Sequence, residues 1–197
     1  MTKTIHLVRH GHHIHSGVLC GRMPGVGIDE RGREEVNLSC AVMHAPILRV
    51  QASPQRRAVQ SAQIIASFFK SEVEIASRMD EIDLGEWTSR SIVELDQDPR
   101  WEFWNRQRSR GQPPGGESMA ALQSRVVEHL QQLAGDTAEG TVVIVSHAEP
   151  IRAALMHYCG IPLDDFLAIE VDTASVSTLR VAAGSLQVTR VNQKVSA

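Results

Sequence analysis

The sequence predicts a three-layer α/β/α sandwich around a mainly parallel central sheet. Three observations carry this. Short apolar runs alternate with runs of helical period along the chain, the order expected of an α/β fold. The run Thr141-Val142-Val143-Ile144-Val145 is β-branched throughout, the composition of a parallel strand covered on both faces. Met119, Leu122, Val126, Leu130 and Leu133 recur at helical spacing, one apolar stripe of an amphipathic helix.

The elements follow in order. Residues 5–8 form a short apolar strand. Residues 33–43 read as a helix with Val36, Cys40 and Met43 on one face and Asp29 as its cap. Residues 48–52 form a second strand, and 57–69 a helix with Ala58, Ala62, Ile65 and Phe69 in register. Residues 73–76 are a short strand, 118–133 the clearest helix, and 141–145 the central strand. A helix over 150–158 accepts Pro150 in its first turn. Residues 176–181 and 186–191 alternate around Ala183-Gly184 and read as a terminal hairpin. The least regular stretch is 96–117, rich in Arg, Gln, Pro and Gly. It is either an insertion over a site or an ordinary surface connection.

A length of 197 residues predicts one domain spanning 1–197, large enough to bury a core without staples. The net charge of −3 provides no overall basic field for nucleic acid or an anionic membrane, so an anion must be attracted locally. Cys20, Cys40 and Cys159 are odd in number and form no Cys-x-x-Cys pair, as suits reduced thiols in a cytoplasmic protein. The N-terminus enters a strand with no signal-like apolar core, and no run approaches a membrane span. Oligomeric state is not legible in the sequence.

Four separated places carry chemistry. Arg9-His10 ends the first strand, where open α/β sheets present ligand-binding groups. Arginine offers a planar charged fork for phosphate oxygens, and neutral imidazole is a competent nucleophile. Arg56-Arg57 follows the second strand at a helix start, where free backbone N–H groups already favour anions. Asp80, Glu81, Asp83 and Glu86 crowd one segment and supply candidates for a general acid. His147 ends the central strand.

These four places, in this order, resemble the histidine phosphatase superfamily, which includes the phosphoglycerate mutases. The resemblance runs over residues 4–181 and implies a phosphoglycerate mutase-like fold. It implies His10 as nucleophile, His147 as its partner on the phosphoryl oxygens, and Arg9 and Arg57 as clamps. Arg57 is preferred over Arg56 because the family pattern sets Arg directly before Ala, here Ala58. Glu81 is picked as acid by its place four residues before Gly85, with Asp80 and Asp83 as fallbacks. Ala148 and Arg22 are expected to touch phosphate or substrate, Arg22 having a solvated role as its alternative. Gly115-Gly116-Glu117-Ser118 is similar to a family stretch and reads as a turn and helix cap.

Two departures concern the substrate. His12 and His13 stand where the family usually has Glu, Gln or Thr and then Ser or Thr; Ser89 stands where many members have Gly. His12, His13 and His15 could also form a metal cluster, but no Cys or carboxylate in that run completes a ligand set. Rival phosphate motifs are missing: no Cys precedes an Arg by six residues, and no Gly-Lys pair marks a P-loop. The expected activity is metal-independent hydrolysis of a small phosphomonoester through a phosphohistidine on His10, without cofactor. A phosphoglycerate-type mutase and a non-catalytic phosphate- or partner-binding module are the alternatives. The mutases carry a Trp-Arg-Arg element where this chain has Trp104-Asn105-Arg106, which favours water as the acceptor.

Overall fold

A computed structural model of the chain describes residues 3–15, 17–43, 46–136, 138–182 and 184–195. Its strands are β1 (Lys3–Arg9), β2 (Ile47–Ala52), β3 (Val73–Ile75), β4 (Gly140–Ser146), β5 (Val176–Ala182) and β6 (Ser185–Gln193). Its α-helices are α1 (Glu30–Ser39), α2 (Arg56–Phe69), α3 (Ile92–Leu95), α4 (Pro99–Arg106), α5 (Met119–Gly135) and α6 (Ala148–Cys159). The strands form one sheet in the order β3-β2-β4-β1-β5-β6. β3, β2, β4 and β1 pair in parallel; β5 runs antiparallel to β1, and β6 antiparallel to β5. The mainly parallel sheet is therefore present, with a hairpin closing one edge.

Alternation along β4 explains the two covering layers. Val142 and Ile144 join Ile5, Leu7, α5 and α6 on one face, while Val143 and Val145 join Val8, Val50, α1 and α2 on the other. Both faces of the central strand are thus apolar, which its unbroken β-branched run requires. Among the described residues no helix is long and apolar enough to cross a membrane.

Several boundaries move for identifiable reasons. α1 begins at Glu30 rather than 33, directly after Asp29, whose side chain accepts from the Gly32 N–H at 2.9 Å. It stops at Ser39 and tightens into a single 3₁₀ turn, Cys40–Val42, still burying Val36, Cys40 and Met43. α6 begins at Ala148, two residues before the expected start, which leaves Pro150 in the first turn. Ser118 caps α5 by accepting from the Ala121 N–H, and all five residues of its predicted stripe are buried. The turn between β5 and β6 includes Gly184 at φ +80°; Ala183 lies outside the described residues.

The segment 96–117 is not irregular throughout. It carries α4, capped by Asp98 accepting from the Arg100 N–H, with Pro99 at the first helical position. Trp104 of α4 is buried, and Trp87, Trp101 and Trp104 pack with ring centres 5.4–5.6 Å apart. These contacts fasten the segment to the core beneath α5.

Ser89 adopts φ +67°, a left-handed conformation that a side chain with a Cβ disfavours. Its N–H donates to the Leu19 carbonyl at 2.8 Å, so the loop before α1 holds it there. Glycine would adopt this conformation without strain, at some entropic cost in the unfolded chain. Ser89→Gly is expected to raise stability by up to about 1 kcal/mol. Denaturant titration measures this; a lower midpoint would mean that the serine hydroxyl offsets the strain.

Candidate active site

The pairing of β1 with β4 sets Arg9 opposite Ser146, so the next residue of each strand leaves the sheet at the same place. Those residues are His10 and His147, whose rings meet edge to face with centres 5.1 Å apart. β2 ends level with them: Ala52 pairs with Val145, and the Ser53 N–H donates to the Val145 carbonyl. α2 then starts at Arg56 and places Arg57 in its first turn. His10, Arg57 and His147 are at most 3% exposed. Gly11 permits the crowding here, since a Cβ on it would collide with the Gly32 carbonyl at the start of α1.

The hydrogen bonds of His10 assign its tautomer. Nδ1–H donates to the Gly11 carbonyl at 2.8 Å, and Nε2 accepts from the Arg57 Nε–H at 3.2 Å. Nε2 therefore carries the lone pair. Burial, then Arg57 and Arg9, holds the ring well below its ordinary pKa of 6.5, so it is neutral at physiological pH. Arg57 also donates from Nη2 to the Gly21 carbonyl at 2.7 Å, and its buried Nη1 has no partner. Arg9 donates from Nη1 to the Val171 carbonyl at 2.7 Å and keeps a buried, unpartnered Nε. Burial lowers both guanidinium pKa values.

His147 is held from behind. Its Nε2–H donates to Ser53 Oγ at 2.7 Å, while the Ser53 hydroxyl donates to Asp80 Oδ1 at 3.0 Å. That leaves Nδ1 buried without a hydrogen-bond partner, 3.8 Å from Glu81 Oε2. Burial, then Arg57, His10 and Arg9, lowers the pKa of this ring well below 6.5. Glu81 accepts from the Ile82 N–H at 2.9 Å through its other oxygen. Its carboxyl is pushed up from 4.5 to about 7 by burial first and by Glu149 second, against the pull of Arg57 and Arg9.

The structure thus brings Arg9, His10, Arg57, Glu81 and Ala148 to the wall of one cleft of about 480 Å³, with His147 behind them. Arg22 does not line this cleft. Its Nε donates to the Glu81 carbonyl at 2.8 Å and its Nη2 to Glu117 at 3.1 Å, with Asp80 and Asp83 close by. Four acceptors behind the Glu81 segment hold it there as a brace. Glu117 also binds Arg125 at 2.7 Å, so the Gly-Gly-Glu-Ser stretch is structural here. Asp80 takes hydrogen bonds from Ser53, Gln55 and the Glu81 N–H, which commits that fallback acid to structure. Asp83 accepts from the Gly85 N–H.

The three extra histidines divide. His12 Nδ1 meets Asp29 at 2.7 Å, whereas His13 stacks on His10 with ring centres 5.4 Å apart and lies 6.1 Å from His15. Burial, then Arg57 and Arg9, lowers His13 to about 4. Among the described residues no three His, Cys, Asp or Glu side chains come together as metal ligands. Ser53, Asp80, Arg108 and Glu149 were not singled out for these contacts from the sequence. Ser53 and Glu149 had a signal, being next to strand ends that carry named residues; Arg108 had none.

The chain as a whole matches a known family model. The model of the histidine phosphatase superfamily (branch 1) covers residues 5–194, and the chain belongs to that family. Phosphoserine phosphatase 1 of Hydrogenobacter thermophilus is 31% identical over 187 residues, covering 92% of this chain and 87% of that protein. A 2,3-bisphosphoglycerate-dependent phosphoglycerate mutase of Thermoplasma acidophilum is 26% identical over 196 residues, covering 91% and 88%. Among solved structures, Bacillus stearothermophilus YhfR superposes with a TM-score of 0.87 at 25% identity, covering 98% of each chain.

The raised carboxyl of Glu81 has a thermodynamic consequence. The folded state holds its proton more tightly than the unfolded chain does. Stability from this group is complete below about 4.5 and is lost as pH rises through about 7. Glu81→Gln carries no charge to bury. It is expected to be more stable than wild type near pH 8 by on the order of 3 kcal/mol, with little difference near pH 4. Parallel unfolding curves at both pH values check this; an equal difference at both would remove the ionisation argument.

Proposed function

We propose that the chain is a phosphatase that hydrolyses a small phosphomonoester through a phosphohistidine on His10. One observation carries the reading above all: His10 Nε2 is a buried, unprotonated nucleophile in contact with Arg57, in the same cleft as a carboxyl titrating near 7. Nε2 attacks phosphorus in line as the bond from phosphorus to the leaving oxygen breaks. Glu81 gives its proton to that oxygen. Water then attacks the phosphohistidine, loses a proton to the Glu81 carboxylate, and releases His10 and inorganic phosphate.

Arg9 and Arg57 neutralise the phosphoryl oxygens, using the N–H groups that have no partner in the cleft. The Ala148 N–H at the start of α6 adds a backbone donor. His147 takes a proton on Nδ1 from the arriving phosphomonoester monoanion and holds it in a hydrogen bond to an equatorial oxygen. Ser53 and Asp80 stabilise the resulting imidazolium from the Nε2 side. All the positive charge this cycle needs comes from side chains. Free thiols at Cys20, Cys40 and Cys159 fit a cytoplasmic enzyme.

A mutase reading draws support from the Thermoplasma acidophilum relative. It requires the phosphoryl group to survive until a second alcohol binds. Trp104-Asn105-Arg106 in place of Trp-Arg-Arg favours water instead. An isomerisation assay with phosphoglycerate separates the two.

Brief incubation with labelled substrate in the presence of chelator is expected to trap acid-labile, base-stable phosphate on wild type and none on His10→Ala. Label on His147 would reverse the roles of the two histidines. Loss of trapping in chelator, restored by a divalent metal, would overturn the metal-free cycle.

Glu81→Gln is expected to cut kcat/KM for alkyl phosphates, which reports the step that expels the leaving group, by roughly 10²–10⁴-fold and to spare kcat/KM for activated aryl phosphates. Wild-type kcat/KM is expected to fall above about pH 7 as Glu81 loses its proton. No matching acid limb is expected near 6.5, because His10 is held neutral well below it. Equal losses for aryl and alkyl substrates would assign Glu81 to positioning rather than proton donation.

A further inference from the structure

Beside the phosphoryl-binding groups, the same cleft contains a second set of buried, unmatched polar atoms. Arg108 is clamped between two rings, its guanidinium carbon 3.2 Å from the centre of Trp104 and 3.7 Å from that of Phe166. Only 3% of the residue is exposed. Nη2 donates to Asn105 Oδ1 at 2.7 Å, but Nε and Nη1 are buried without partners. Across from it, Glu149 accepts from Arg152 Nη1 at 3.3 Å through Oε1. Its Oε2 is buried and unpartnered, 3.9 Å from Arg108 Nη1 and too far for a hydrogen bond. Arg152 is itself fixed, by the Ile169 carbonyl at 2.8 Å and the face of Phe166.

We infer that Arg108 and Glu149 form the leaving-group half of the cleft and select a phosphorylated hydroxy acid or amino acid. The inference rests on the phosphatase reading for the other half. Two facts set the chemistry. First, Arg108, Arg152 and Glu149 together leave one positive charge, which one carboxylate balances and a dianionic second phosphate exceeds. Second, the unmatched donor on Arg108 and the unmatched acceptor on Glu149 are neighbours. A ligand that satisfies both presents a carboxylate beside a hydroxyl or ammonium on the adjoining carbon. An apolar or uncharged alcohol would leave both polar groups buried and unpaired, which penalises its binding. The stacked rings keep the guanidinium plane fixed before any ligand arrives, so little freedom is lost on binding.

The test compares phosphoserine and phosphoglycerate with three analogues on the wild-type protein. Phosphoethanolamine lacks the carboxylate, phosphopropionate lacks the neighbouring donor, and propanediol bisphosphate carries a second phosphate instead. p-Nitrophenyl phosphate reads the phosphoryl half alone. The expected kcat/KM for the better of the first two exceeds that for phosphoethanolamine by about 10- to 100-fold. Phosphopropionate falls between them. Arg108→Gln is expected to collapse the gap to phosphoethanolamine, losing about tenfold more on the carboxylated substrates than on p-nitrophenyl phosphate. Glu149→Gln is expected to narrow the gap to phosphopropionate. Should Arg108→Gln fail to fold, the wild-type series alone decides. Equal rates for phosphoserine, phosphoglycerate and phosphoethanolamine, or preference for the bisphosphate, overturn the inference while p-nitrophenyl phosphate turnover leaves the phosphatase reading intact. Failure to turn over any member overturns the phosphatase reading. The same series, read as dissociation constants by calorimetry, then decides the inference on the same gaps.

Discussion

Arg9 stands opposite Ser146 across a parallel ladder, and the position of both imidazoles follows from that pairing. A slip of one residue would turn the side chains of β1 to the opposite faces of the sheet. His10 would then leave the strand out of step with His147. The register is defended on both sides, because Ile5 and Leu7 fill one core while Val8 fills the other. The apolar pattern of β1 and β4 therefore does two jobs. It makes the sheet, and it sets the separation of the two rings that meet beyond its edge.

Burial then acts on the collected groups in opposite directions. Removing water favours the neutral form of every ionisable side chain. For His10 the neutral form is the one with an unprotonated Nε2; for Glu81 it is the one with a proton to give. One physical cause prepares both partners of the proposed displacement. The cost falls on Arg9 and Arg57, which remain charged with N–H groups unmatched. Charged guanidiniums with unmatched N–H groups suit a dianionic ligand.

Much of this was legible because it lies in covalent order. The β-branched run at 141–145 announced a central strand, and strand ends announced His10 and His147. Resemblance alone separated Glu81 from its acidic neighbours, and the competition between burial and the arginines over its proton needed three dimensions. The bracing contacts of Arg22 were not legible, because its partners, Glu117 and the Glu81 carbonyl, are distant in sequence and close in space. α4 shows little in the sequence beyond its Asp98-Pro99 start, since its few apolar residues follow no long stripe. Arg108 could not have been found this way. Its meaning comes from Phe166 and Glu149, which the fold alone brings to it.

The aromatic packing under the cleft has an optical consequence. The chain holds three tryptophans, and all three share one cluster with ring centres 5.4–5.6 Å apart. Arg108 lies against one of them. Rings this close exchange excitation, and a cation resting on an indole face perturbs its emission. Tryptophan fluorescence of this protein therefore comes from a single place, beside the cleft, rather than from an average over the fold. The molecule carries its own local probe, with no dye attached and no residue replaced.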